Sequence, residues 1–458
     1  MYVWHCYALQ HKVGLAPHPP HPLLPRRGEG GQGVRLHLSN WKKMPEPSHS
    51  MKAKFARRIM LIFALGFFFL GACLAPPPPL EDAQYFNSPA REVTLNEDEA
   101  DLAQLVQQWA RGAGREAPLL DAGLTLVCRD FVWRLHEKGA PAVDNFNNAE
   151  MQNELTRAGI ADSAIRTQMA VASAMSALQK ELKPSLEKEL SEARYTHYGL
   201  GAFRSWLPPR VFVALIFSRR PVALDPFPKR VPLNDRQILS GTLLEGLKEP
   251  RVFISPPSGV VHDLLFQVDA NGRFRSSVFF GDGPGVYRLE VSAEGSAGPE
   301  IVALMPILAG DTETPQVAAP EPDAADENDA RRQVWSRINE ERAAAGLKPV
   351  SEYIKLEAVA QAHAEEMRKL NYVAHRSPNT GMASDRADAA GILWRKISEN
   401  VALNQTALSA HASLMESPAH RTNVIDPDVT HIGIGVAFSD DGHGHRQVYL
   451  VENFAALR

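Results

Sequence analysis

The sequence has few cysteines and few long apolar runs. Only three of its 458 residues are cysteines, Cys6, Cys73 and Cys128, and they lie far apart. Such spacing forms neither a metal-ligand pair nor a disulfide framework. The main apolar run, from Ile59 to Leu70, is short for a membrane-spanning helix. The sequence therefore excludes a chain of membrane-spanning repeats and a small disulfide-stabilised fold.

An excess of basic charge is also missing. The formal net charge is -4, so no broad positive field is available to hold a phosphate backbone, and we expect no nucleic-acid partner. What the chain does contain is 44% apolar and 22% charged residues, the balance of folded soluble proteins. At 458 residues it is too long for one ordinary core, so two to four domains are expected.

Residues 51–73, "MKAKFARRIMLIFALGFFFLGAC", have the layout of a secretory signal: a basic stretch, then the apolar run, then small residues. The final Leu-Gly-Ala-Cys resembles the lipobox of bacterial lipoproteins, whose cysteine is acylated and becomes the mature N-terminus. This resemblance makes Cys73 the predicted lipidation site. A transmembrane anchor is the alternative, but "APPPPLEDAQ" follows at once and is typical of an extended tether.

This interpretation predicts an extracytoplasmic, membrane-anchored lipoprotein whose first partner is the membrane, through its N-terminal lipid. Met51 would then be the true start. Residues 1–50 would be upstream sequence translated in error, or a disordered tail. The tether would run over residues 74–94.

The mature chain divides into three predicted domains and a linker. Residues 95–220 begin with apolar residues at helical spacing. Residues 226–309 alternate with period two, are interrupted by Gly-rich turns and predict an all-β, immunoglobulin-like antiparallel sandwich. Residues 310–328 are acidic and rich in Pro and Ala, which indicates a solvated linker. Residues 329–458 form the last domain.

The first and last of these domains resemble each other along the sequence. "THYGLG" at Thr196 matches "THIGIG" at Thr430, and Leu124 matches Leu356, with similar spacing between them. We interpret 95–220 as a degenerate copy of the last domain. When the two sequences are aligned, polar residues of the last domain correspond to different residues in the first. His375 aligns with Val143, Glu399 with Thr167 or Gln168, and His420 with Leu186. Either a polar site was added to a common frame, or the first copy lost it by drift.

A family resemblance covers the last domain. "VWSRINEERAAAGLKPV", "AVAQAHAEEMRKLNYVAHRSP", "ISENVA", "SPAHRTNVIDPDVTHIGIGVAF" and "YLVENF" occur in order. Together they resemble the CAP superfamily of cysteine-rich secretory, antigen 5 and pathogenesis-related 1 proteins, in its bacterial branch. The resemblance implies an α+β fold, an α-β-α sandwich with a cleft where two histidines and two acidic residues converge. These are carried over as His375, Glu399 and His420, with Glu416 as the second acid.

Two neutral imidazoles beside carboxylates suit zinc or another borderline cation. The predicted function is therefore an envelope-bound protein that binds a metal or small ligand in this cleft. The alternative is a metal-dependent hydrolase of peptide or cell-wall material, in which Glu399 takes a proton from metal-bound water. Buried His and Glu side chains also form purely structural networks, and that interpretation remains open. His363 and His431 are predicted to be packing residues.

Overall fold

The computed structural model describes residues 5–10, 80–88, 92–138, 148–192, 195–206, 209–314, 323–440 and 446–458. All of these belong to one compact unit. The predicted signal segment, the predicted lipidation site Cys73 and Val143, the counterpart of His375, lie outside the described residues. Within the described ranges, no helix combines the length and the apolar character that a membrane crossing requires.

The N-terminal domain is mixed α and β. Its helices are α1 (Glu97–Gly112), α2 (Ala122–Lys138), α3 (Asn148–Arg157) and α4 (Met175–Glu192). The strands up to its end are β1 (His5–Gln10), β2 (Tyr85–Phe86), β3 (Leu119–Leu120), β4 (Ala164–Ala172), β5 (His197–Trp206) and β6 (Pro209–Arg219). Five of them form one sheet in the order β1-β4-β6-β5-β3. A reciprocal cap between Asn96 and Glu99 begins α1 and satisfies amides that have no partner within the helix.

The middle domain consists of strands. They are β7 (Val222–Leu224), β8 (Phe227–Pro228), β9 (Arg230–Val231), β10 (Arg236–Leu243), β11 (Lys248–Ser255), β12 (His262–Leu264), β13 (Phe266–Val268), β14 (Arg273–Phe279), β15 (Gly285–Gly295) and β16 (Gly298–Ala309). Two sheets, β13-β14-β10-β7 and β12-β11-β15-β16-β9, share one apolar core. One pairing differs from the predicted antiparallel pattern, because β9 runs parallel to β16. An immunoglobulin-like topology stays a prediction.

The C-terminal domain places one sheet between helices. Its elements are α5 (Glu327–Ala344), β17 (Ser351–Glu352), α6 (Ile354–Leu370), α7 (Ala383–Ala389), β18 (Trp394–Asn404), α8 (Ala407–Met415), α9 (Pro418–Val424), β19 (His431–Asp440) and β20 (Arg446–Leu457). The strand order is β17-β19-β20-β18. Helices α5 and α8 share a core with one face of the sheet, and α6 shares a core with the other. Strand β18 is left at the edge.

The first domain repeats this topology. Its strands β3-β5-β6-β4 follow the order β17-β19-β20-β18, and the first pair is parallel in both domains while the other two are antiparallel. Thr196 and Thr430 both place their hydroxyls 2.9 and 2.8 Å from Nδ1 of the following histidine. The two domains are therefore alike in strand order and in local hydrogen bonding.

Hydrogen bonds also define which residues correspond. The amide of Thr430 donates to the carbonyl of Ala455, as that of Thr196 does to Ser218. Counting back two residues aligns Asn453 with Ile216, and these pair across the sheet with Glu399 and Thr167, respectively. Of the two counterparts that the sequence leaves open for Glu399, the strand register selects Thr167.

Candidate functional site

The predicted site residues lie around the exposed edge of the C-terminal sheet. His375 follows α6, Glu399 lies on the edge strand β18, and His420 lies on α9. Ser417 caps α9 by accepting a hydrogen bond from the amide of His420, and Pro418 begins the helix with a backbone angle suited to its first turn. Segments far apart in sequence therefore meet because β18 has no further strand on this side.

His375 and Glu399 form a hydrogen-bonded pair with Arg386. The Nδ1 atom of His375 lies 3.2 Å from Oε1 of Glu399, and Arg386 donates to Oε2. Burial alone would raise the pKa of Glu399, but the hydrogen bond from His375 and the charge of Arg386 outweigh it and lower that pKa. Arg386 also donates to the carbonyl of His375, 3.2 Å away. The carboxylate is thus ionised and has both oxygens engaged.

His420 has a different partner. Its Nδ1 lies 3.0 Å from Oγ of Ser417, and that hydroxyl donates to Oε2 of Glu290 at 2.5 Å. Glu290 lies on β15 and therefore belongs to the middle domain. Burial raises the pKa of Glu290 to about 7, although the hydrogen bond from Ser417 acts in the opposite direction. The middle domain thus contributes a fully buried carboxylate beside the predicted cleft.

The two imidazoles lie close to each other. The ring centroids of His375 and His420 are 6.1 Å apart, and the rings are tilted by 34°. Burial lowers the pKa of His420 well below its ordinary value, and the proximity of His375 lowers it further, so His420 is neutral near pH 7. Neither Nε2 atom has a hydrogen bond to another residue of the described chain. Each ring therefore keeps one nitrogen for a ligand.

The prediction for Glu416 does not agree with the structure. Its side chain is 53% exposed, and its two oxygens lie 2.7 and 2.6 Å from the guanidinium nitrogens of Arg288 in the middle domain. Glu416 is the C-cap of α8 and directly precedes Ser417, the N-cap of α9, and its side chain lies at the domain interface. Besides Glu399, Glu290 is an acid near the histidines, and its Oε2 accepts a hydrogen bond from Ser417.

A separate buried network lies on the other side of β18. Nδ1 of His411 is 2.7 Å from Oε1 of Glu452, whose other oxygen accepts from Asn400 at 3.0 Å. Asn400 also donates to the carbonyl of His420 and accepts from Asn423. Adjacent residues on a strand point to opposite faces, so Asn400 and Glu399 serve different networks. This network is structural and supports the backbone at His420.

The two other histidines are packing residues, as predicted. His363 is 1% exposed on α6, and its Nε2 lies 2.9 Å from the carbonyl of Ala374. His431 stacks edge-on against Tyr353 at the start of β19.

The sequence interpretation missed three contributors, Arg386, Ser417 and Glu290. Arg386 lies eleven residues after His375 in "SDRADAAG", where an isolated arginine gives no signal of burial. Ser417 before Pro418 could have been found as a helix cap, because this pair is typical of a helix start. Glu290 alternates with Leu289 and Val291, and this pattern predicts a solvent-facing position.

The fit to a metal is partial. No group of three or more His, Cys, Asp or Glu side chains is arranged to hold a metal ion in the part of the chain that the structure describes. Glu399 is occupied by Arg386, which leaves the two Nε2 atoms as the free donors. Zinc in proteins is normally four-coordinate, so water or a bound molecule would complete its shell here.

The raised pKa of Glu290 predicts a pH dependence of stability. An acid whose folded pKa lies above its unfolded value of 4.5 favours folding at low pH, and that advantage is lost as the pH rises from 4.5 to 7. Relative to Glu290→Gln, the free energy of unfolding of the wild-type chain should fall by up to about 3 kcal/mol over this range. Urea unfolding of both proteins at pH 4.5, 6 and 8 measures the difference. A difference that stays constant with pH would contradict the buried state of this carboxyl.

Comparison with known proteins supports the predicted resemblance in the C-terminal region. Residues 335–454 match the CAP family, described as the cysteine-rich secretory protein family. These residues contain the three cleft residues predicted from the sequence, His375, Glu399 and His420. The CAP-like fold is thus confirmed for this region, while the lipoprotein assignment stays a prediction.

Similar proteins come from Bacillus. The chain is 35% identical over 105 residues to the uncharacterized protein YkwD of Bacillus subtilis, and the match covers 23% of this chain and 41% of YkwD. It is 33% identical over 79 residues to the uncharacterized membrane protein YlbC of the same organism, covering 17% and 23%. A solved extracellular protein with an SCP domain from Bacillus anthracis is 17% identical, with a TM-score of 0.26 and coverage of 48% and 64%. The chain spans less than half the length of either curated relative.

Proposed function

We propose that this chain is an extracytoplasmic, lipid-anchored protein whose CAP-like domain binds a small ligand between His375 and His420, with a divalent cation such as zinc as the ligand class. The signal-like segment ending at Cys73 supports the location. The match of residues 335–454 to the CAP family supports the domain. The observation that carries the proposal is the pair of imidazoles whose Nδ1 atoms are engaged and whose Nε2 atoms are not.

The free nitrogens decide the ligand class. Nδ1 of His375 faces an ionised carboxylate, which can only accept a hydrogen bond, so Nδ1 carries the hydrogen. When this imidazole is neutral, its lone pair is therefore at Nε2. Such a nitrogen binds a metal ion or accepts a hydrogen bond, and the carboxylate behind it fixes the ring. A ligand that brings a cation or a hydrogen-bond donor suits this cleft better than an anion.

Binding is favoured over hydrolysis by the state of Glu399. The hydrolase alternative requires Glu399 to take a proton from a water molecule. Its oxygens already contact His375 and Arg386, and its lowered pKa makes it a weak base. The carboxylate therefore serves to orient His375, and we assign no proton-transfer role to it.

Isothermal titration of the full chain with zinc tests the proposal. His375→Ala and His420→Ala should each weaken zinc binding by at least about tenfold, since one lost ligand is worth about 1.4 kcal/mol or more. The double variant should show no binding at the cleft. His431→Ala is the matched control, because it removes a histidine of the same sheet that lies outside the cleft, and it should bind as wild type does.

The outcome distinguishes a metal-binding role of His375 and His420 from a purely structural one. Wild-type zinc affinity in the double variant would place the metal elsewhere. If the wild type binds no zinc and the double variant melts at a much lower temperature, the histidines belong to a structural network. In that case the cation-binding proposal is wrong.

A further inference from the structure

The middle domain covers the cleft through several contacts. Arg288 pairs with Glu416, Glu290 accepts from Ser417, and the carbonyl of Ala297 accepts from the amide of Arg376 at 3.2 Å. The β15–β16 turn comes close to the site itself. A methyl group added at its Gly298 would contact Cβ of His375 at 3.4 Å. The cleft is thus formed between two domains.

Ser417 connects the two domains at its hydroxyl. Its side chain is fully buried, and so is that of Glu290. Oγ contacts three groups: Oε2 of Glu290, Nδ1 of His420 at 3.0 Å, and the amide of His420 at 3.3 Å. A hydroxyl has one hydrogen to donate and can accept two hydrogen bonds. The acceptor of that single hydrogen determines which ring nitrogen of His420 carries a hydrogen.

The charge of Glu290 determines where the hydrogen goes. An ionised carboxylate only accepts, so the Ser417 hydroxyl must donate to it. Oγ then accepts from both nitrogens of His420, the backbone amide and Nδ1. Nδ1 therefore carries the ring hydrogen, and the lone pair of the neutral imidazole lies at Nε2.

We infer that Glu290 of the middle domain is a positioning residue of the CAP-like cleft, which acts through Ser417 to hold His420 in the tautomer with hydrogen on Nδ1. Glu399 does the same directly for His375, so each histidine is oriented by a carboxylate from a different domain. The consequence for binding rests on the proposed function, because a lone pair at Nε2 is what a cation requires. Separation of the middle domain would free the Ser417 hydroxyl to donate to Nδ1 and would place the hydrogen on Nε2.

The tautomer can be read from imidazole nitrogen shifts. The full chain is labelled with nitrogen-15 histidine and measured at pH 8, above the pKa of about 7 that burial gives Glu290. The His420 signals are assigned by their loss in His420→Ala. The wild type should show hydrogen on Nδ1. Glu290→Met should move the hydrogen to Nε2 in a large fraction of molecules, and Glu290→Gln should restore Nδ1, because its amide oxygen still accepts from Ser417.

A matched control distinguishes the positioning role of Glu290 from a general effect of contact between the two domains. Arg288→Met breaks the interdomain ion pair with Glu416 and leaves the Ser417 hydrogen bonds in place, so it should keep the wild-type tautomer. Should Glu290→Met not fold, Ser417→Ala provides the test, because Nδ1 then has no acceptor and the tautomer should change. An unchanged His420 spectrum in the folded variant overturns the inference.

Zinc titration of the same samples distinguishes this inference from the proposed function. A tautomer change in Glu290→Met together with zinc binding at least tenfold weaker supports both. A tautomer change in samples that never bind zinc supports the positioning role and contradicts the metal proposal. Wild-type zinc binding with an unchanged tautomer contradicts the positioning role alone.

Discussion

Gly433→Ala should destabilise the C-terminal domain by about 3 kcal/mol or more. Gly433 lies on β19 beneath α6, and a Cβ there would be 2.2 Å from the carbonyl carbon of Leu356 and 2.3 Å from the amide nitrogen of Glu357. Both atoms are backbone and cannot rotate away. The helix must therefore move off the sheet, and interiors packed at crystal density do not absorb such a shift. Thermal unfolding followed by circular dichroism should show a lower melting temperature.

A glycine elsewhere in the chain provides the control. Gly112 ends α1, and an added Cβ there would meet no atom within 4 Å. Gly112→Ala should leave the melting temperature unchanged or raise it slightly, since alanine is the better helix former. A melting temperature for Gly433→Ala equal to that of Gly112→Ala would contradict the close contact between α6 and β19.

Arg342→Met should cost about 3–5 kcal/mol of stability, because it leaves buried carbonyls without donors. Arg342 is 1% exposed at the end of α5. Its guanidinium donates to four carbonyls, at distances from 2.8 to 3.3 Å. One belongs to Val424, the last residue of α9, and two belong to Asp426 and Val429 in the segment that follows; the fourth belongs to Lys348. The same side chain thus fixes the helix that carries His420.

Urea unfolding measures this cost. Arg337 on the same helix pairs with Glu340 at the surface, so Arg337→Met should change the free energy of unfolding by no more than about 0.5 kcal/mol. The Arg342 variant should also weaken zinc binding, because α9 loses its support. A loss of stability below about 1 kcal/mol for Arg342→Met would show that the four carbonyls find other donors.

Much of the fold could be predicted from local patterns. The matched glycines of "THYGLG" and "THIGIG" predicted a repeat, and they are the positions where a helix backbone touches a strand in both domains. A Cβ at Gly199 would lie 2.3 Å from the carbonyl carbon of Leu124, and one at Gly433 would lie 2.2 Å from that of Leu356. This requirement is local to a helix and a strand, so it appears in the sequence. The parallel pairing of β9 with β16 is non-local and left no such signal.

The candidate site could be predicted only in part. His375, Glu399 and His420 followed from ordered motifs, and the structure brings them together. Glu416 was placed in the cleft because of its position in sequence, but its side chain is exposed and pairs with Arg288 of the middle domain. Glu290 could not be predicted, because the alternation of β15 describes packing within its own domain and carries no information about another domain that covers the outer face.

The most direct test of the account is a crystal structure of the full chain grown with zinc, with anomalous diffraction recorded at the zinc absorption edge. The account predicts an anomalous peak about 2.0–2.1 Å from Nε2 of both His375 and His420, with Ser417 hydrogen-bonded to Glu290. A map in which zinc binds elsewhere and the space between these two nitrogens holds no metal would contradict it.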